Sequence, residues 1–523
     1  MRTNHNFNYE PDKLAEGFLG EYYIWHPEDD SPPEHYRDGK LAEWKLRWWR
    51  GEFYDWHKGR YTRASDGDMS ALVTGFLQDS NRPKFGYEPP EPAIRVTTGL
   101  VRNILLNMTG FEGVYISDRR ELNTWPAEES CNSPDMAGII TISFLNGLLM
   151  FDPETSDSPA FIKHTPRYFS MSRLPYNYDK DAQCLRWQAF LDDVMEGDEE
   201  RIELLQEWAG YLLTNTLKYQ KFMLMAGEGG NGKTVFTTIL EKMVGEENAS
   251  HVPLCRFDDR FSLAATLGKM LNTSSESSHK IDELCETMLK SYTSGDRMTF
   301  DRKNRELISA TPTAKVMIST NQLPNFTDKS NGVWWRMLYV FFGKNVPEEE
   351  QNPELVNELA RELAGIFNWA LAGLGKLMAD GRFIEPKKCK EALNEYRRDT
   401  NPAKVFLEEN YVDPSTLCYE GQADFEFEGL PGEAQAKSGI PCGEMYQAYA
   451  AWCSQNGYHP LNSSNFGKEV KRAFANVHKE HSRIGIGRVM TYAGLAVKDG
   501  SEAAIGLQSV NGGNSGNSGN RTF

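Results

Sequence analysis

Cysteine is scarce in this chain and never closely paired. The 523 residues hold eight, at Cys131, Cys184, Cys255, Cys285, Cys389, Cys418, Cys442 and Cys453. No C-x-x-C spacing occurs, which excludes a zinc ribbon or a dithiol redox motif. The density is far below that of a disulfide scaffold, so reduced thiols in a cytosolic protein are expected. Long apolar runs are missing too. The most apolar stretch, Ala137–Phe151, is interrupted by Thr141, Ser143 and Asn146. It falls short of the roughly 20 residues that a membrane span needs. The first residues, MRTNHNFNYEPDK, lack the apolar core of a signal peptide. A soluble, cytoplasmic protein without a membrane partner is the expectation. Basic charge is in deficit, with 57 Lys+Arg against 74 Asp+Glu and a net charge of −17. That excludes a surface coated in positive charge for duplex DNA.

Enough apolar material is present for a large core: hydrophobic residues make up 40% and charged residues 25%. The length predicts several domains. Residues 1–95 form an aromatic-rich region with Trp25, Trp44, Trp48, Trp49 and Trp56 beside Tyr22, Tyr23, Phe53 and Tyr54. Such a cluster stacks on bases or builds a core, and a core is the commoner use. Residues 96–205 read as a mixed α/β and helical lead-in. Asn146-Gly147 sits between two short apolar runs as a hairpin dipeptide. Trp187, Phe190, Leu191 and Val194 follow helical spacing. Residues 206–385 alternate strands and helices, 386–505 form a further domain with an acidic insertion, and 506–523 read as a Gly/Ser/Asn-rich tail.

Most of the interpretable chemistry lies in 206–385. Lys221–Ala226 is an apolar run of strand length. It is followed by Gly227, Glu228, Gly229, Gly230, Asn231, Gly232, Lys233 and Thr234, and then by an apolar-rich helix. This is G-x-x-x-x-G-K-T in a strand–loop–helix context. The glycines let backbone N–H groups wrap a triphosphate, and the helix start adds its dipole. Lys233 supplies charge to the β- and γ-phosphates, and Thr234 offers a hydroxyl to magnesium. ATP and magnesium are the expected ligands. Hydrolysis also needs a water activator, a γ-phosphate sensor and a charge stabiliser. Glu276 ends a strand-like run one helix downstream and suits the first role. Asn321 ends the run Lys315–Thr320 and suits the second. Arg336, after Trp334 and Trp335, suits the third if it reaches a neighbouring subunit's nucleotide. Arg297, Arg302, Lys303 and Arg305 cluster as a basic turn attractive to phosphates.

These residues together resemble superfamily 3 helicases of the phage/plasmid primase-helicase type, related to the poxvirus primase-helicase. The resemblance runs from about Asn146 to Gly494. It rests on LLQEWAGYLLT before the loop, GEGGNGKTVF, Leu267–Glu276, Leu289–Asp296 with Arg302-Lys303-Asn304, Ser319-Thr320-Asn321 with Pro324, and Gly332–Phe342. It implies an AAA+ type α/β ATPase core, a parallel sheet with flanking helices, in a homo-oligomeric ring that is usually a hexamer. It implies single-stranded DNA in the pore, a forked duplex as substrate, and replication of a phage, plasmid or integrated element, with a separate primase or polymerase as a possible partner. Lys290, Arg302 and Lys303 would face that DNA. The chain departs from the common pattern at Ser275, where many phosphate-loop ATPases carry Asp, and at Trp335, where the finger segment often carries a first arginine.

Beyond the acidic stretch Glu408–Glu433 the pattern is helix, helix, hairpin, a winged-helix-like outline. From Ser464 to Lys498 the basic residues Lys468, Lys471, Arg472, Lys479, Arg483, Arg488 and Lys498 outnumber Glu469 and Glu480. Phosphate contacts through Lys468, Lys471 and Arg472 are expected. Three alternatives stay open. One is a primase-helicase whose primer synthesis uses the D-x-D pair Asp66/Asp68. Another is an origin-binding initiator with ATP as a switch. The third is a remodeller that does not touch DNA.

Overall fold

The run FMLMA at Phe222–Ala226 is apolar at every position, the pattern of a strand covered on both faces. In the computed structural model of the protein it is strand β7, and all five residues are buried. The structure describes residues 10–25, 43–82, 93–117, 139–152, 159–276, 281–303, 307–321, 323–324, 326, 331–413, 439–474, 476–484 and 487–498. The sequence-predicted tail, most of the acidic stretch and Arg305 lie outside them. The chain divides into two compact units, Met1–Lys390 and Glu391–Phe523.

The first unit opens with helix α1 (Pro11–Tyr22) and a three-stranded antiparallel sheet of β1 (Leu46–Trp49), β2 (Glu52–His57) and β3 (Arg60–Ala64). Helices α2 (Asp66–Ser80) and α3 (Thr98–Met108) follow. Here the aromatics are packed. Trp49 and Phe53 are buried, and Trp49 meets Phe169 edge-on at 5.4 Å. Asp66 and Asp68 occupy the first turn of α2, where the Ser65 hydroxyl accepts from the Asp68 N–H at 3.1 Å. That is an N-cap arrangement, with carboxylates favoured by the helix dipole.

Strands β4 (Ile140–Ser143), β5 (Leu148–Phe151) and β6 (Ala160–Ile162) form a second antiparallel sheet, with Asn146-Gly147 in the β4–β5 turn. Helices α4 (Leu185–Val194) and α5 (Glu199–Leu212) lead into β7. Next come α6 (Lys233–Val244), β8 (Ala249–Ser250), β9 (Leu271–Glu276), α7 (Glu283–Ser294), the hairpin β10 (Met298–Phe300)/β11 (Ile308–Ala310), β12 (Lys315–Thr320), α8 (Asn331–Arg336), β13 (Met337–Phe341) and α9 (Leu363–Asp380). Five strands make one fully parallel sheet, in the order β8-β9-β12-β7-β13. It is a mixed α/β core of the P-loop ATPase type, with helices against the sheet.

The lead-in helices are part of this core. The Trp187 indole is fully buried and stacks on Phe236 of α6 at 5.7 Å. Such a pair contributes about 0.5–1.5 kcal/mol beyond burial. Helices α5 and α9 touch backbone to backbone: a Cβ on Gly210 would stand 2.4 Å from the Ala370 carbonyl oxygen.

The second unit contains α10 (Pro402–Asn410), β14 (Ile440–Pro441), α11 (Cys442–Gln455), α12 (Ser463–Ala473), β15 (His478–Ile484) and β16 (Gly487–Ala493). Asn462 caps α12 by accepting from the Asn465 N–H at 2.9 Å. Phe406, Tyr449, Trp452, Phe466 and Tyr492 close a core, with Tyr449 and Phe466 stacked at 4.4 Å. Strands β15 and β16 pair antiparallel, and β14 adds to β16.

Candidate functional site

The register of the parallel sheet decides what meets at its carboxyl edge. Glu276 of β9 is opposite Thr320 of β12, Thr320 is opposite Ala226 of β7, and Ala226 is opposite Phe341 of β13. The next residues out of the sheet are Asn321, Gly227 and Phe342. Ligands of open α/β sheets bind beyond this edge. The loop Gly227–Gly232 therefore leaves the sheet next to Asn321, and β12 puts Asn321 between the loop and the end of the Glu276 strand. Asn321 and Ser275 are exposed.

The loop is held by contacts that few residue types permit. Gly232 has φ +88°, and a Cβ there would lie 2.8 Å from Cγ1 of Val194. Helix α4 thus packs directly on the loop. A Cβ on Gly227 would lie 2.2 Å from the Asn231 amide nitrogen and 2.4 Å from the Phe342 carbonyl oxygen. Glu228, Gly229, Gly230 and Thr234 are exposed, whereas Asn231 and Lys233 are each 4% exposed. Lys233 turns its three donors onto its own loop. Nζ donates to the Gly227 oxygen at 2.6 Å, the Glu228 oxygen at 2.9 Å and Oδ1 of Asn231 at 3.0 Å. Burial pushes its pKa down. Any anion that engages Lys233 must take over at least one of these bonds.

Asn231 has a second role that the loop pattern does not reveal. Its Nδ2 donates to the Phe342 oxygen at 3.0 Å, just past β13. Arg201, 2% exposed, donates to the Phe341 oxygen at 2.8 Å and to Oδ2 of Asp198 at 3.0 Å. A buried arginine in LLQEWAGYLLT's helix is a positional signal, but its partner is 140 residues away.

Arg336 stands at the other edge. It precedes Met337, which is opposite Phe222 at the start of β7. Five strand residues separate it from the loop edge, roughly 16 Å of strand. Its guanidinium donates to the Gly332 oxygen at 2.9 Å and to Oγ of Ser294 at 2.8 Å. It also lies 5.4 Å from the Trp335 ring, which is 54% exposed. Arg336 is therefore not gathered with Lys233, Thr234 and Asn321 within one chain.

The basic turn is the β10–β11 hairpin. Lys303 is exposed. Arg302 is engaged: NH1 is 2.7 Å from Oε2 of Glu52, a carboxylate on β2 that also receives Arg63 Nε at 2.7 Å. Lys290, on α7, is half-buried. In the second unit α12 buries Phe466, Gly467, Glu469 and Val470 and exposes Lys468 and Lys471. Arg472 is 2.7 Å from Oε1 of the buried Glu469. No group of three or more potential metal ligands occurs among the described residues. Among them, no helix is long and apolar enough to cross a membrane.

Residues 225–336 match the model of a family of unknown function (DUF5906), and residues 432–498 match the RFX DNA-binding domain. The chain is 28% identical over 106 residues to "Uncharacterized mitochondrial protein ymf21" of Marchantia polymorpha, covering 18% of this chain and 59% of that protein. It is 20% identical over 269 residues to "Putative helicase L207/L206" of Acanthamoeba polyphaga mimivirus, covering 50% of this chain and 28% of that one. The chain thus spans less than two thirds of either relative. Among solved structures, an apo NrS-1 C-terminal region aligns with TM-score 0.48 and 11% identity, over 86% of this chain and 96% of that one. A second form aligns with TM-score 0.45 and 12% identity, over 93% and 100%. In sequence, then, the chain is distantly similar to a viral protein that carries a helicase name, and its own loop and sheet give it a P-loop ATPase-type core.

Proposed function

We propose that the chain is an ATP-dependent DNA helicase of the superfamily 3 type, acting as a homo-oligomeric ring, a hexamer, in replication of a phage, plasmid or integrated element. The observation that carries the reading is the row Glu276–Thr320–Ala226–Phe341, with the phosphate loop and Asn321 leaving from one edge and Arg336 from the other. Backbone N–H groups of Gly227–Gly232 and the start of α6 cradle the triphosphate. Lys233 exchanges bonds to its own loop for bonds to the β- and γ-phosphates. The exposed Thr234 hydroxyl, in the first turn of α6, is the group that would hold magnesium, which neutralises phosphate charge. Glu276 polarises the attacking water, and Asn321 orients it. Arg336 is remote from its own loop, so it serves the nucleotide of the next subunit, which makes the ring a chemical requirement. Lys290, Arg302 and Lys303 engage the strand in the pore. The second unit, through Lys468, Lys471 and Arg472 on α12, holds DNA in a winged-helix-like manner.

The test is ATPase activity with and without single-stranded DNA, together with unwinding of a forked duplex. DNA-stimulated turnover that Lys233→Ala removes is expected. Turnover that ignores DNA and leaves forks intact would sink the reading. One observation favours a second reading, an ATP-switched origin-binding initiator. Arg302 is held by Glu52, which keeps a hairpin arginine away from phosphate. That reading predicts site-specific footprints with negligible unwinding.

A further inference from the structure

Helix α6 carries the phosphate loop at its start and ends at the opposite edge of the sheet. Its 12 residues span roughly 18 Å. Beside its end lies a cavity of about 440 Å³. Three segments of the first unit bring its charged groups, the β2–β3 hairpin with Arg60, the stretch before α4 with Arg173, and the end of α6 with Lys242, Glu246 and Glu247, while Leu145, Ala360 and Leu363 from two further segments add an apolar side. Lys269 adjoins it, with Nζ bonded to the Glu247 carbonyl oxygen.

The charges do not cancel. Arg60 pairs with Glu247, and Lys242 pairs with Glu246 at 3.1 Å. Arg173 donates through NH1 to the Lys58 carbonyl oxygen, and its buried Nε has no hydrogen-bond partner. Burial and then the charge of Arg60 push both Arg173 and Lys269 down in pKa. Like charges are thus held together at a cost. The end of α6 does not explain them. Its carbonyls are served by others: the Val244 oxygen accepts from Asn248 Nδ2 at 2.7 Å and the Met243 oxygen from the Tyr176 hydroxyl at 2.9 Å. Nε is enclosed by protein, so the guanidinium fork meets an anion with two oxygens once the side chain turns into the cavity. The volume falls in the range of small-ligand sites, about 300–1,000 Å³.

We infer that this cavity is a second anion site, which takes a phosphate group on Arg173 and Arg60 with Lys242 and Lys269 adding charge. It is distinct from the phosphate loop and does not depend on the ATPase reading. Glu247 yields Arg60 when the anion enters. The phosphate belongs to a free small molecule or to a nucleic-acid backbone, and the chemistry of the grip is the same.

The experiment uses the full chain with Lys233→Ala, which weakens the phosphate loop, and the Arg173 and Lys242 variants are made in that background so that only the second site differs between them. Inorganic tripolyphosphate is titrated by calorimetry, with thermal unfolding as a parallel readout. Saturable binding is expected, weakened about tenfold or more by Arg173→Gln. If Arg173→Gln fails to fold, Lys242→Ala, at a partly exposed side chain, carries the same expectation with a smaller loss. A single-stranded oligonucleotide that displaces tripolyphosphate assigns the site to a nucleic-acid backbone; no displacement assigns it to a free anion. Absence of saturable binding by folded protein overturns the inference, and so does unchanged binding in the folded Arg173 or Lys242 variant.

Discussion

Asn231 holds Lys233 with one end of its amide and the sheet with the other. Oδ1 accepts from Lys233 Nζ at 3.0 Å, and Nδ2 donates to the Phe342 oxygen at 3.0 Å. Phe342 follows β13, and Arg336 precedes it. One strand thus joins the lysine of one proposed nucleotide site to the arginine proposed to serve the next. Asn231→Ala cuts this link while leaving the glycines in place. A loss of about tenfold to hundredfold in kcat/KM of ATP hydrolysis is expected, carried mainly by kcat. Asn231→Asp keeps the acceptor, loses the donor and sets a carboxylate on Lys233 that competes with phosphate, so it should be slow and also bind nucleotide more weakly than Asn231→Ala. Steady-state kinetics on both variants check this, and a wild-type kcat in Asn231→Ala would discard the link.

Glu52 gathers two arginines, Arg63 and Arg302, and is 6% exposed. Breaking such a pair from the acid side leaves positive charge half-buried and costs about 3 kcal/mol. Glu52→Gln is expected to lower the urea midpoint. It also releases Arg302, so single-stranded DNA should bind more tightly at low salt. Anisotropy with a labelled oligonucleotide reads this directly. Unchanged affinity in a folded Glu52→Gln protein would mean that the ion pair only joins β2 to the hairpin.

Lys315 opens β12 fully buried, with Nζ bonded to the Thr214 carbonyl oxygen and 4.8 Å from the Tyr211 ring. Burial pushes its pKa down to about 7 from 10.5. Between those values the unfolded chain holds a proton that the folded chain does not. The contribution of Lys315 to stability therefore rises with pH from about 7 to 10.5, and its penalty is largest below pH 7. Lys315→Met removes the titrating group. It should stabilise the protein at pH 6 by roughly 1–4 kcal/mol and flatten that part of the profile. Denaturant unfolding at pH 6, 8 and 10 is the measurement. A Lys315→Met profile that runs parallel to the wild-type one over this range would show that Lys315 keeps its ordinary pKa.

The elements that carry the site were legible because their signals are local. An all-apolar run gives β7, the interval Lys315–Thr320 is the strand itself, and Asn462 caps the helix it precedes. Trp187, Phe190, Leu191 and Val194 are the buried face of α4, as their spacing predicts. What stayed hidden depends on partners far along the chain. Nothing near Arg302 points to Glu52, 250 residues away. Nothing in the run Lys315–Thr320 points to Tyr211 and Thr214, which cover Lys315. The placing of Arg336 opposite the loop follows from the pairing of Met337 with Phe222, a register that no single segment encodes.

Helix α12 offers a test in which two neighbouring cations part company. Lys471 is exposed, and Lys468 is exposed with only a long 3.4 Å approach to Asn465. Arg472 is bound to the buried Glu469, which also receives Asn401 Nδ2 at 3.1 Å. If α12 lies along a DNA backbone, Lys471→Ala should weaken binding by a similar factor on any sequence. It should also reduce the slope of log affinity against log salt by about 1. Adding Lys468→Ala should take off about one more. Arg472→Ala instead removes a partner of a buried carboxylate, so its first effect should be lower stability of the second unit. Anisotropy of a labelled duplex across salt concentrations, with circular dichroism melts on each variant, separates the two effects. A salt slope that stays at the wild-type value in the folded Lys468→Ala/Lys471→Ala protein would take α12 off the DNA.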